Sequence, residues 1–144
     1  MKKITLLTLL GLTINLSAQT NQELTNINQL PIFPGCEMLI DKFDQLNCTN
    51  SQFVQLIQNN IKYPRQAQEM GCQGIVEISF IIRPNGTMAD ITLVKDNTDG
   101  CGLKEEALRV IKSIAESTLR WTPGFSNGVE TSVKMIVPIR FDEY

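Results

Sequence analysis

Gly124-Phe125-Ser126-Asn127-Gly128 matches, letter for letter, the GxSxG elbow that presents a serine nucleophile to an acyl substrate. The elbow works only with a strand ahead of the serine, a helix behind it and a histidine to take the proton. In this chain a turn at Thr122-Pro123-Gly124 leads through the motif into a strand, and histidine is absent from the sequence. Ser126 therefore has no base, and the match carries no catalysis. Asp96 to Gly100 faintly follows a calcium loop, but setting Gly100 at the sixth position puts Lys95 at the first, where an acidic ligand is required. A solvated loop is the better reading. Glu105 and Glu106 could pass for an acid/base pair, yet neighbours on a helix diverge by about 100°, so they belong to a wet helix face. Tyr63 and Trp121 could line a ligand cage, though aromatic packing beside turns is the commoner role. Cys36, Cys48, Cys72 and Cys101 form no CxxC, and without histidine a structural zinc would need all four spaced thiolates. Two disulfides are the stronger expectation. The residue types point away from an enzyme: no catalytic group, metal, cofactor or small-molecule substrate is expected.

The chain that carries these residues opens as an export signal does. Lys2 and Lys3 precede a mostly apolar run from Ile4 to Leu16, and Leu16-Ser17-Ala18 ends it with small residues before Gln19. Cleavage after Ala18 is expected. An uncleaved inner-membrane anchor is the competing reading, but a run broken by Thr5, Thr8, Thr13 and Asn15 falls short of the roughly 20 apolar residues that span a bilayer. Taking residues 1–18 from the 144 leaves 126, enough for one domain and too few for two ordinary ones. Lys2 and Lys3 leave with the leader, so 11 of the 13 Lys and Arg face 15 Asp and Glu. A mildly acidic protein without a basic block is a poor partner for nucleic acid or anionic lipid.

Residues 19–30 read as a flexible lead-in, polar and without periodicity, and order is expected from near Pro31. Thr49 with Gln52 has capping-box spacing, and Phe53, Leu56, Ile57 and Ile61 recur at helical intervals. Together they predict a helix from about Asn50 to Asn60 within an N-terminal extension spanning 31–60. Pro64 suits the start of a short second helix through Met70, with Gly71 as its left-handed cap. From Ile75 to Arg83, Val76, Ile78, Phe80 and Ile82 alternate with Glu77, Ser79 and Arg83, the pattern of a half-buried strand. Asn85-Gly86 signals a type I′ turn, and Ala89, Ile91 and Leu93 alternate along a return strand from Thr87 to Lys95. A two-residue loop there opposes Ile82 to Ala89, Phe80 to Ile91 and Ile78 to Leu93, so turn chemistry and burial choose one register. Leu103, Ala107, Val110, Ile111 and Ile114 form the apolar stripe of an amphipathic helix that ends before Trp121. Thr122-Pro123-Gly124 has type II turn chemistry. A last strand, about Glu130 to Phe141, turns Val133, Met135, Val137, Ile139 and Phe141 to one face. Because all three strands are apolar on one side only, the fold class is two-layer α+β: a three-stranded antiparallel sheet in the order second-first-third, helices packed on one face, the third strand at an edge.

Tyr63-Pro64, Ala67, Gly71, Gly74, the hairpin with Gly86, Glu106-Ala107, Trp121-Thr122-Pro123-Gly124, Gly128 and Pro138-Ile139-Arg140-Phe141 follow one another from about Ile61 to Phe141. In that order and spacing they resemble the TonB C-terminal family, and the domain is drawn at 61–144. Phe33-Pro34-Gly35-Cys36-Glu37 is similar to an extension of such proteins in Bacteroidetes-like bacteria. The resemblance implies a periplasmic domain that pairs its edge strand with the TonB box, a short extended segment of outer-membrane transporters, in TonB-dependent transmembrane transport. A stand-alone envelope module that adds another partner's strand and transmits no force is the alternative. Members that transmit energy also carry an inner-membrane helix and a long Pro-rich spacer. Gln19 to Leu30 could extend only about 40 Å, comparable to the ~40 Å thickness of one bilayer, so the chain is not expected to transmit force alone, and a separate membrane-anchored energising complex is a candidate partner.

Pro138 adds a mechanism. Lacking an N–H, it belongs on an edge strand with its nitrogen turned away from the neighbour. Ser132, Lys134 and Ile136 share its parity, so their main-chain groups are expected to point outward and accept a partner strand. The bland reading, that Pro138 only blunts the edge against aggregation, stands beside it. The same register extended to the open end of the hairpin sets Cys72 opposite Asp99, which makes Cys72–Cys101 the expected bond and leaves Cys36 for Cys48.

Overall fold

Asp41 caps the first helix, α1 (Lys42–Asn60), its Oδ1 accepting from the amides of Phe43 at 2.8 Å and Asp44 at 3.1 Å. The computed structural model describes residues 27–142, so the leader, its cleavage at Ala18 and the lead-in as far as Asn26 lie outside them. α1 starts well before the expected Asn50 because Thr49 is not a cap. It sits inside the helix, 2% exposed, and its Oγ1 accepts from the Phe33 amide at 3.2 Å. Phe53 and Ile57 bury the inner face of α1, and the helix stops where Ile61 turns extended ahead of Pro64. The short α2 (Arg65–Met70) follows, closed by Gly71 in the left-handed conformation as expected.

The main sheet holds β2 (Gly74–Ile82), β3 (Met88–Thr98) and β6 (Val133–Phe141), antiparallel in the order β3-β2-β6. Val76, Ile78, Phe80 and Ile82 of β2 are all buried, and so is the full stripe Leu103, Ala107, Val110, Ile111 and Ile114 of α3 (Leu103–Glu116). α3 lies across β2 and β3 on the apolar side, which gives the two layers.

The hairpin turn differs from the expected type I′. The Gly86 amide donates to the Arg83 carbonyl at 2.8 Å, and the Arg83 amide to the Thr87 carbonyl at 2.9 Å, while Asn85 keeps a negative φ. Pro84, with φ pre-set for the first central position of a type I turn, moves the turn one residue toward the N-terminus and leaves Gly86 to close it at φ +80. The register changes accordingly. Ile82 faces Met88, not Ala89, and Met88 is buried; Phe80 has no direct partner on β3, and Asp90 at φ 51 forms the bulge that restores Ile78 opposite Leu93. A second irregularity lies between Glu77 and Ile78.

A second, smaller sheet was not expected. β1 (Ile27–Gln29), β4 (Gly124–Ser126) and β5 (Val129–Thr131) pair in the order β1-β4-β5, so the end of the presumed lead-in is a strand. The expected last strand is thus two, with Ser132 at the break between β5 and β6. Thr122-Pro123-Gly124 is no type II turn either: Gly124 has no positive φ and begins β4, and Thr122 exchanges both main-chain bonds with Ile32 at 3.0 Å. Gly124 is needed for space, since a Cβ there would overlap a methyl of Val133 and crowd the Gln29 carbonyl. The two-residue turn with positive φ at both centres is Asn127-Gly128, so the GxSxG stretch is strand, turn, strand.

Glu106 joins the layers at the α1–α2 junction. Its carboxylate accepts from the Lys62 amide at 2.6 Å and pairs with Arg109, which donates to the Asn60 carbonyl at 3.0 Å. The Arg109 hydrogen bond, followed by that from Lys62, outweighs burial and holds the Glu106 carboxyl below its ordinary range. A lowered folded-state value contributes stability that is full above the unfolded value of about 4.3 and is lost as pH falls through the lower folded one. Glu106→Gln is therefore expected to cost about 2 kcal/mol at neutral pH. Urea unfolding of the two proteins should show that gap closing in acid; a gap independent of pH would contradict the assignment.

Candidate partner-binding edge

β6 runs in register with β2 through nine consecutive pairs, Ile82–Val133 to Gly74–Phe141, without a bulge. Pro138 faces Glu77, and since proline cannot donate, that pair is of the non-hydrogen-bonded kind. Lys134 and Ile136, opposite Ile81 and Ser79, share its phase, so their N–H and C=O groups point away from β2. Ser132 lies one residue before the ladder, at the break. Side chains alternate in the other sense. Val133, Val137, Ile139 and Phe141 are buried, while Lys134, Ile136, Pro138 and Arg140 are exposed, Ile136 by 57%.

The opposite margin of the sheet is different. β3 carries both irregularities of the hairpin and the left-handed Asp90, the devices that twist an edge away from pairing. β6 is the flat edge and β3 the protected one.

The other singled-out residues hold the sheet and helices together, and of them Trp121 also reaches a cleft beside the edge. The Tyr63 ring stands edge-on to Phe141 at 5.7 Å, and its hydroxyl donates to the Cys72 carbonyl. Pro64 lies beside Gly102 at the start of α3, and Gly74 opens β2 between Thr98 and Phe141. The Gly86 carbonyl accepts from the Trp121 amide at 2.9 Å, an approach so close that any Cβ on Gly86 would overlap the Trp121 backbone. Trp121 packs edge-on against Phe33 at 5.2 Å and Phe53 at 5.1 Å and lies 6.1 Å from Phe80. Pro123 follows it into β4. The cysteines pair as expected, Cys36 with Cys48 and Cys72 with Cys101.

A family model, "Gram-negative bacterial TonB protein C-terminal", matches residues 59–142. The chain belongs to the TonB C-terminal family. Proteins named TonB from two strains of Helicobacter pylori are each 40% identical to it over 70 residues, 46% of this chain. The chain spans about a quarter of the length of these curated relatives, 25% and 24%. The solution structure of a Helicobacter pylori TonB-CTD superposes with a TM-score of 0.52 at 32% identity, over 65% of this chain and 80% of that one. The match begins inside α1, yet the preceding segment joins the same core: Ile32, Phe33, Cys36 and Phe53 are buried with the TonB C-terminal residues.

That extension also adds residues to the edge which sequence reasoning missed. Asn50 and Val54 on α1 face the β6 margin across a cleft that includes Ile136 and Pro138. Nothing in their types marks them, since Asn50 and the 39% exposed Val54 read as an ordinary wet face. No helix among the described residues is long and apolar enough to cross a membrane.

Proposed function

We propose that this protein works in the periplasm as a TonB C-terminal binding domain whose β6 margin pairs with the TonB box of outer-membrane transporters. The observation that carries the reading is the unbulged nine-pair β6 edge, phased by Pro138 so that Lys134 and Ile136 turn free main-chain groups outward. Ser132, at the break before the ladder, extends the same phase by one more position. Four to six added bonds at about 0.5 to 1.5 kcal/mol each, less ordering costs, correspond to millimolar to micromolar affinity. Pro138 ends the useful edge, because a partner strand finds no donor there. The leader-like pattern of residues 1–18, a basic start followed by an apolar run and small residues, supports the compartment.

The test is a titration of the labelled protein with a TonB-box peptide, followed by amide shifts. The amides of Ser132, Lys134 and Ile136 are expected to move most; movement confined to the helices would reject pairing at this edge. Co-purification from the envelope separates the partner classes: recovery of TonB-dependent transporters supports transport, and recovery of other envelope proteins alone supports a stand-alone module using the same strand.

A further inference from the structure

α1 does not lie flat on β6. Between them are two clefts that meet at Val54 and Pro138, the residues both share. The larger, about 340 Å³, has Asn50, Phe53 and Val54 as one wall, Met135 and Val137 as the other, and Trp121 at its base. The smaller, about 150 Å³, lies further along β6 between Ile57 and Ile139, with Gln58 and Arg140 at its rim. Both therefore lie along the margin whose main-chain groups are unpaired among the described residues.

We infer that the larger cleft is a side-chain subsite for the strand that adds to β6, and that it selects one bulky apolar residue, aromatic or leucine-like. The inference rests on the edge-pairing reading and deepens it. A strand laid beside β6 turns alternate side chains to the two faces of the sheet. Those on the helix side meet the clefts, and residues two apart are separated by about 7 Å, which allows one side chain for each cleft. Size separates the two. An apolar cavity of about 150 Å³ holds a benzene ring; the smaller cleft has that volume with a polar rim, whereas the larger has more than twice it with mostly apolar walls. The base of the larger cleft adds a specific demand. Trp121 is 3% exposed there, and with Phe53, Phe80, Met135 and Val137 it outweighs the polar Thr49 and Asn50 in the lining, so a bulky apolar side chain is the natural filling. On the opposite face of the added strand the neighbours are Lys134 and Arg140. Lys134 makes no ion pair among the described residues, which favours an acidic residue beside the bulky one.

Two blocked nonapeptides test this, each alternating Thr and Val with one Asp on the Thr side and differing only at the central Val position, Phe in one and Ala in the other. With the full-length, disulfide-bonded protein the Phe peptide is expected to bind at least tenfold more tightly, and it alone should change the emission of Trp121, the single tryptophan. Val54→Arg, which puts a charge at the mouth of the cleft, should abolish the difference while both peptides still shift the amides of Lys134 and Ile136. Equal affinities with those amide shifts and no change in Trp121 emission would overturn the subsite and leave edge pairing standing. Absence of the amide shifts with either peptide removes both readings, even if Trp121 responds. A peptide-free dimer that Val54→Arg dissociates assigns the cleft to a second copy of the chain and likewise overturns the proposal.

Discussion

Replacing all four cysteines by alanine is expected to lower the free energy of unfolding by about 7 kcal/mol and leave the chain largely unfolded at 37 °C. The links close 12 residues between Cys36 and Cys48 and 29 between Cys72 and Cys101. Loop-closure entropy assigns them about 3 and about 4 kcal/mol respectively. A domain of this size has only about 5 to 15 kcal/mol in total. The two pair deletions should therefore differ in order: loss of Cys72 and Cys101 costs more than loss of Cys36 and Cys48. Urea midpoints of the two double variants measure this. A larger effect from the shorter loop would mean that native contacts around Cys36, which is fully buried, outweigh chain entropy.

Trp121→Ala is expected to cost about 4 kcal/mol, the range for deleting a large buried ring. Trp121 touches Phe33 from the N-terminal segment, Phe53 from α1 and Phe80 from β2, so one truncation opens a cavity between three parts of the chain. Trp121→Phe should be much milder, within about 1 kcal/mol, because the smaller ring loses contact area but also removes a buried N–H that has no acceptor, a group whose burial costs about 1 to 3 kcal/mol. Thermal unfolding followed by circular dichroism compares the pair. Equal losses for both variants would show that the N–H is satisfied in solution.

The elements with long, regular patterns were legible in the sequence. The four buried positions of β2 and the five of α3 are those that simple periodicity selects, because a pattern repeated over several turns or pleats leaves one face to bury. The short elements were not. β1, β4 and β5 have three residues each, too few for alternation to register, and their pairing joins positions nearly a hundred residues apart. Of the three local signals that pointed the wrong way, at Thr49, at Asn85-Gly86 and at Thr122-Pro123-Gly124, the first two were overridden by a stronger constraint. Pro84 took the turn from Asn85-Gly86, and a tertiary bond from Phe33 drew Thr49 into a helix that its own spacing would have started. The edge itself was legible through Pro138, whose missing donor fixes the phase of β6. The cleft beside it was not, since it exists only where α1 and β6 are brought together in three dimensions.

The joining of the first and last segments also sets a timetable for a chain delivered N-terminus first. Phe53 waits for Trp121, Ile32 for Thr122 and Ile27 for Ser126, so the leading third cannot bury its apolar face until almost the whole polypeptide has emerged. The short Cys36–Cys48 ring can oxidise early, while its surroundings are still open, and the Cys72–Cys101 ring only after the hairpin has formed. A vectorial route to the native state thus begins with a small covalent knot and ends with the C-terminal strand, the same ribbon that is left with one side unclaimed.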